Sequence, residues 1–456
     1  MTLVRSIGLT QAAAMVVGTI VGASIFVQPS EVSRAVPDFA GMLLVWLAAG
    51  ALTWFGASLC AELTSAYPRT GGVYVFLHEM FSPAFAFLWG WAMFWSMHSG
   101  IIAAIAMVFG RYAASIVPMT DVGIRLTAIA GIVALSAINY LGVRPGSAVQ
   151  TGLTILKVIA LIGLLGLLLF SGTPHLPEAT GSIQIGAFLR ALVAGLFAFG
   201  GWHMVTYAAE ETREPERTIP RALLVGTTLV VVIYLALNAA YLLVLPPDRV
   251  LSSTRIAYDA TLAAAGPSAA SAIAVLVLVS SLGAVSGIIL AGPRVYLAMS
   301  TDGLLFSWMG ALHPRYHTPH LALVAQAVWS SLLVWTGSYG AIVSRVIYTE
   351  WIFFAALAIG SMRLRRDRGY HPVFRAPGFP ILPIVFAATC AAIIVNQLVS
   401  DPRSSLSGLA LVGAGLPVYF IWGRTHARHR LSQPLLSAEV HDRAPVGTEP
   451  GSRHHR

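Results

Sequence analysis

The sequence predicts an all-α membrane protein of twelve transmembrane helices, built as a five-plus-five inverted repeat with helices one and six broken. Three observations lead to that fold. The 456 residues are 57% hydrophobic and only 10% charged, with a mean hydropathy of +0.76; a soluble domain carries about 25% charged residues, because its whole surface must face water. Apolar stretches of about 18 to 25 residues recur from Leu9 to Trp422, each long enough to cross roughly 30 Å of hydrocarbon. Glycines cluster in the middle of the first and the sixth stretch. Barrel strands would need alternating segments of about ten residues, and the sequence has none.

Taken in order, the spans lie near 9–28, 39–66, 83–110, 122–141, 147–170, 186–209, 221–245, 270–298, 319–337, 341–362, 380–399 and 405–423. They divide the chain into a first repeat at 1–170, a second at 171–362, two further spans at 363–423 and a tail at 424–456. The tail is polar and rich in Pro, His and Arg, and reads as disordered and cytoplasmic. Pro246 to Pro267 reads as a long amphipathic loop between spans seven and eight.

Short loops enriched in Lys and Arg stay in the cytoplasm. With the N-terminus inside, Arg5, Arg69, Arg144, Arg213, Arg294 and the cluster from Arg363 to Arg375 fall on the cytoplasmic side, whereas Arg34, Arg111, Arg125, Arg249, Arg255 and Arg403 fall outside. An integral protein of the plasma (inner) membrane with both termini cytoplasmic is expected. No cleavable signal peptide is expected, because the first apolar run begins near Leu9 after a single Arg5 and has the length of a full span. The net charge of +9 is spread between spans and reads as topogenic, so no nucleic-acid partner is expected. Cys60 and Cys390 lie in apolar runs without metal-like spacing, so neither a disulfide framework nor a metal site is expected.

An unpaired backbone group in hydrocarbon costs several kcal/mol, so an interrupted helix survives only where it lines a cavity or binds something. Span one holds Gly18-Thr19-Ile20-Val21-Gly22-Ala23-Ser24-Ile25-Phe26 before Pro29, and span six holds Gly195 to Trp202 with Gly200-Gly201. A single cluster could serve close helix packing. Two clusters, each in the first span of a half, fit an inverted-repeat transporter with discontinuous helices. Free N–H groups at the start of a second half-helix attract a carboxylate, and free carbonyls at the end of a first half suit an ammonium. Two such breaks facing each other form a receptor for a zwitterion, the α-amino-acid backbone.

These residues carry a resemblance. GTIVGASIFVQP, Gly18 to Pro29, resembles the first-helix signature of the amino acid–polyamine–organocation superfamily, in particular its L-type amino acid transporter group. Phe197 to Leu223, with the Glu210-Glu211 pair, resembles that group's most specific block; Asn139 to Arg144 with Gln150, Gly71-Gly72-Tyr74, and Gly415 to Phe420 are further matches. The resemblance implies a LeuT-like fold. It implies that the substrate carboxylate binds around Thr19, Ile20, Gly22, Ala23 and Ser24, that the ammonium meets Ile20, Phe197 and Gly200, and that Phe197 is an outer aromatic gate. Gly201 and His203 belong to the same stretch, and Trp351 matches a residue lining the side-chain pocket. Ala23-Ser24 departs from the family's small-polar-then-glycine pair, and His203 stands where relatives often have Asn.

Lys157, the only lysine, sits in the middle of span five and is a functional candidate by default, since a buried ammonium is costly. By resemblance it replaces the positive charge of sodium and bridges spans one and eight, with Ser280 and Ser281 as partners. Sodium coupling is therefore not expected, and proton coupling through Lys157 stays open. Glu350 in span ten is read either as a carboxyl group protonated or paired with Arg345, or as a charge favouring cationic substrates. His98 reads as a packing histidine, Glu62 as the partner of a loop arginine, and Trp89, Trp91 and Trp95 as packing or interface aromatics. No P-loop and no nucleophile–His–acid set is evident, so neither an enzyme nor a cofactor is expected. The expected function is alternating-access permease transport of small neutral L-amino acids, as a sodium-independent antiporter or a proton-linked carrier. A cationic amino acid or polyamine carrier is the alternative.

Overall fold

A computed structural model of the chain describes residues 5–171, 184–337 and 339–421; the tail proposed beyond Arg424 lies outside them. Among the described residues the regular structure is helical, and an isolated parallel bridge joins Ile7 to Thr212. Nine described helices are long and apolar enough to cross a membrane: Leu9–Phe26, Phe39–Ala66, Pro83–Ala114, Asp121–Tyr140, Pro145–Phe170, Ile185–Glu211, Pro215–Val244, Ile256–Thr301 and Ile381–Ser400. The remaining expected spans coincide with the 26-residue helix Tyr339–Leu364 and with two shorter apolar helices, His320–Thr336 and Ser405–Ile421.

Helix starts follow the side chains placed there. Asp38 accepts a bond from Gly41 N at 2.7 Å, Ser82 from Phe85 N at 3.2 Å and Thr120 from Gly123 N at 3.2 Å; each satisfies an N–H that the first turn leaves without a partner. The expected loop from Pro246 to Pro267 is corrected. It holds the helix Pro247–Ser252 and the opening turns of the eighth helix, which starts at Ile256 and is interrupted at Gly266, φ +81. Among the described residues nothing lies within 4 Å of a Cβ built on Gly266, so backbone conformation rather than space calls for glycine there.

The outward stripe of the seventh helix shows what solvent the bundle is made for. Val225, Leu229 and Val232, spaced as one helix face, are exposed, while Gly226, Val230, Ile233, Tyr234 and Leu237 are buried. Such a stripe would be unfavourable in water and suits lipid.

Packing inside the bundle has a regular pattern. Leu9–Ile20 packs on Trp202–Glu211, and Gln28–Ala35 packs on Ile185–Ala198, so the two broken helices lie antiparallel. The first helix also packs on the seventh and the sixth on the second; the third packs on the fourth and ninth, and the eighth on the ninth and fourth.

One end of the bundle is tied by buried charges. The Glu62 carboxylate accepts bonds from Arg365 Nε at 2.8 Å, Tyr370 Oη at 3.3 Å and Ala376 N at 2.7 Å, and pairs with Arg365 Nη2. Burial, then the Glu62 carboxylate, pushes the Tyr370 phenol above its usual range, so it remains a donor. This joins the second helix to the segment after the tenth. Glu211 pairs with Arg294, and its carbonyl accepts from Ser6 N and Ile7 N, both at 2.9 Å, while Arg213 N donates to Ile7 O. Glu62→Ala leaves the Ala376 amide without its acceptor and the Arg365 guanidinium with only Ala376 O and the face of Phe379. Breaking a buried pair costs about 3–5 kcal/mol, so the variant should lose roughly 5 °C or more in thermal midpoint in detergent, readable by light-scattering or fluorescence melting.

Candidate functional site at two broken helices

The first break begins where the Leu9–Ile20 helix ends at Val21, whose ψ of 84° leaves the helical range. The chain resumes as a short 3-10 turn, Ser24–Phe26, and then as the helix Gln28–Ala35. The first recorded bonds of the resumed part are Phe26 N to Ala23 O and Val27 N to Ser24 O. The N–H groups of Ala23, Ser24 and Ile25 therefore head a helical segment and have no partner within it.

The second break lies at Phe199-Gly200-Gly201, between Ile185–Ala198 and Trp202–Glu211. Gly201 has φ +96, and a Cβ built there would stand 3.0 Å from Thr19 O. Only glycine combines this backbone with so close an approach of the first break. The breaks touch directly: Thr19 Oγ1 lies 2.7 Å from Met15 O and 3.1 Å from Gly201 O, so its single hydrogen is shared between its own helix and the other break.

Between them is a cavity of about 30 Å³, room for about two water molecules. Thr19, Ile20, Gly22, Ser24, Phe197, Gly200, Gly201 and Trp351 line it, so eight of the expected binding residues converge there. Ala23 and His203 do not. Ala23 is buried at the break, and His203 is buried behind the wall among Trp89, Trp202, Tyr207 and Phe354. The Ile20 carbonyl is less free than expected: it already accepts from Gly22 N at 2.8 Å and Tyr234 Oη at 3.1 Å. Phe197 O accepts from Gly200 N at 3.1 Å.

Lys157 is fully buried. Its ammonium donates to Gly18 O at 2.9 Å, Val21 O at 2.6 Å and Ser280 O at 3.4 Å, using all three of its N–H groups. Two of these acceptors are end carbonyls of the first half-helix, where the macrodipole favours a cation. The serine expectation is corrected in detail. Ser280 meets Lys157 through its carbonyl, and its hydroxyl lies 3.3 Å from Gly22 O, whereas the Ser281 hydroxyl donates to Val277 O of its own helix.

Other cavity walls were not read from sequence: Ile101, Ile105, Leu196, Trp202, Met204, Ile288 and Phe354; Glu350, weighed there as a charge that would favour cationic substrates, also lines the cavity. Ile101 and Ile105 are four apart on the third helix, but nearly every span offers such pairs, so the spacing carries no signal. Glu350 Oε1 stands 3.5 Å from His203 Nε2; its expected partner Arg345 has a side chain outside the described set. Glu62 does take a loop arginine, Arg365. His98 is buried, with its ring 6.4 Å from Tyr207. No group of three or more His, Cys, Asp or Glu side chains suited to a metal occurs among the described residues.

Three kinds of relative share this architecture's sequence. The family model described as amino acid permease matches residues 7–421. The serine/threonine exchanger of Bacillus subtilis (strain 168) is 30% identical over 427 residues, 91% of this chain and 96% of that protein. The human cystine/glutamate transporter is 27% identical, covering 92% of this chain and 85% of its own. The b(0,+)-type amino acid transporter 1 of Mus musculus is 28% identical, covering 95% and 91%.

The contact at Gly201 sets an expectation for stability. Gly201→Ala places a carbon in a left-handed conformation, at about 1–2 kcal/mol, and against Thr19 O. Gly200→Ala would meet only Phe197 O at 3.2 Å. The Gly201 variant should therefore melt several degrees below the Gly200 variant in the same detergent.

Proposed function

The chain belongs to the amino acid permease family, whose relatives are transporters rather than enzymes, and from that premise we propose that it carries small neutral L-amino acids by sodium-independent alternating access. The observation that carries this reading is the small cavity lined by both breaks. The substrate carboxylate rests on the N–H groups around Ala23 and Ser24, at the positive end of the resumed first helix. The ammonium rests on the carbonyls of Phe197 and Gly200, and reaches Ile20 O only if Tyr234 gives way. Uncharged backbone thus receives both charges of a zwitterion in a medium where ionised side chains are costly.

The antiparallel breaks support the inverted repeat of 1–170 and 171–362. Exchanging helix one with six, two with seven, three with eight and four with nine turns the observed packing pairs into one another. A cavity of about 30 Å³ is too small for an amino acid, so carriage requires the halves to move. At the tied end, parting the Glu211–Arg294 pair and the Ile7–Thr212 bridge would free the cytoplasmic path, in the proposed topology with both termini in the cytoplasm. Lys157 already supplies a cation among the carbonyls of the first break, which favours sodium independence. Exchange is the mode favoured by the name of the Bacillus subtilis relative, a serine/threonine exchanger; proton linkage through Lys157 is the other mode.

Purified protein in liposomes tests this. Labelled alanine, serine or threonine should enter without sodium and faster into vesicles preloaded with amino acid, while Lys157→Ala should cut the rate at least about tenfold, the loss of roughly one charged hydrogen bond at the break. A strict sodium requirement, or uptake of arginine or polyamines alone, would overturn the reading.

A further inference from the structure

The two breaks engage only the backbone charges of the proposed substrate, and Glu350 takes no part in that. That residue is 7% exposed and is the one carboxyl group on a wall otherwise made of Ile101, Ile105, Leu196, Phe197, Ile288 and Phe354 and their neighbours. The His203 imidazole stands behind it, Nε2 to Oε1 3.5 Å, yet neither ring nitrogen of His203 has a hydrogen-bond partner among the described residues. The histidine is thus close enough to fix where the carboxyl group sits but is not aligned to use up its acceptor positions. The remaining polar side chains of the cavity are otherwise engaged or belong to the break: Thr19 shares its hydrogen between Met15 O and Gly201 O, and Ser24 heads the resumed helix.

A buried carboxyl group that faces a cavity, with its nearest described side-chain nitrogen at 3.5 Å, is better satisfied when an occupant supplies a donor. With the substrate backbone held at the breaks, the substrate side chain is the group left to meet the tenth helix. Trp202, Trp351 and Phe354 close the wall around Glu350, so for the small neutral substrates proposed above the donor that can reach it is a short side-chain hydroxyl.

We infer that Glu350, positioned by His203, is the side-chain selector of the site and accepts a hydrogen bond from a substrate β-hydroxyl, so that serine and threonine are taken in preference to apolar amino acids of the same shape. This rests on the transport reading above. The physical basis is asymmetric: a site built to pair a hydroxyl discriminates strongly against an isostere that lacks it, because its own polar group is then left unpaired.

Threonine and valine, nearly equal in volume, are the discriminating probes, with alanine as the reference that touches no selector. Competition against labelled alanine uptake in liposomes should show threonine favoured over valine at least about tenfold, the worth of one hydrogen bond. Glu350→Leu should bring the threonine-to-valine ratio to about one, read as a ratio at whatever alanine uptake the variant retains. Glu350→Gln, which keeps a carbonyl acceptor in the same volume, should retain a preference for threonine and serves as the deciding variant should the leucine protein carry no alanine. A native ratio near one, a preference kept intact by Glu350→Leu, or a preference abolished in Glu350→Gln would overturn the inference. Alanine uptake by the native protein separates the two levels: its absence sinks the transport reading, whereas alanine uptake without threonine preference sinks only the selector.

Discussion

The Lys157 ammonium, held by three carbonyl oxygens within 3.4 Å, is the interaction on which the rest of the centre depends. A helix that stops inside hydrocarbon leaves end carbonyls without partners, each costing several kcal/mol. Lys157 gives partners to Gly18 O and Val21 O, Tyr234 to Ile20 O, and the Ser280 hydroxyl lies near Gly22 O. Among the described residues no carboxylate pairs with the ammonium, which is held by carbonyl dipoles. Room for it comes from Gly283, where a Cβ would stand 3.1 Å from Nζ. The fifth, seventh and eighth helices are thereby organised around the end of the first.

The second break is held differently. Its geometry rests on one glycine, Gly201, whose left-handed backbone and bare Cα let it sit against Thr19 O. The contrast is physically sensible: the first break satisfies its carbonyls with side chains from neighbours, and the second avoids crowding by having none. Both arrangements are local, yet they sit side by side because the half-helices pair crosswise, first half on second half in each case. The cavity is the space left where four helix ends meet.

Much of the fold was legible in sequence because hydrocarbon imposes long-wavelength rules: span length and the scarcity of charge can be counted without knowing a contact. The breaks were legible too, since Gly18 to Ala23 and Gly200-Gly201 stand out in otherwise continuous apolar runs. The segment 246–267 misled because Gly266 and three prolines suggest a loop, whereas two helices fit between them. Serine partners of Lys157 were read one residue too generously; Ser281 points its hydrogen back into its own helix, a choice fixed by rotation about the helix axis.

The sequence by itself determined that this chain lives in lipid, where its helices run, which two of them break and which single lysine is buried, because each of these depends on local composition or on one solvent property. Only the tertiary structure decided what the breaks face. Glu350 and His203 lie 147 positions apart in the chain and become neighbours at the cavity wall through the packing of the tenth helix on the third and of Phe354 against Trp202 and His203. Likewise the Ile20 carbonyl, free on paper, is taken by Tyr234 from the seventh helix. Which polar groups remain available to a ligand is a property of relative helix position, and no pattern within a single span records it.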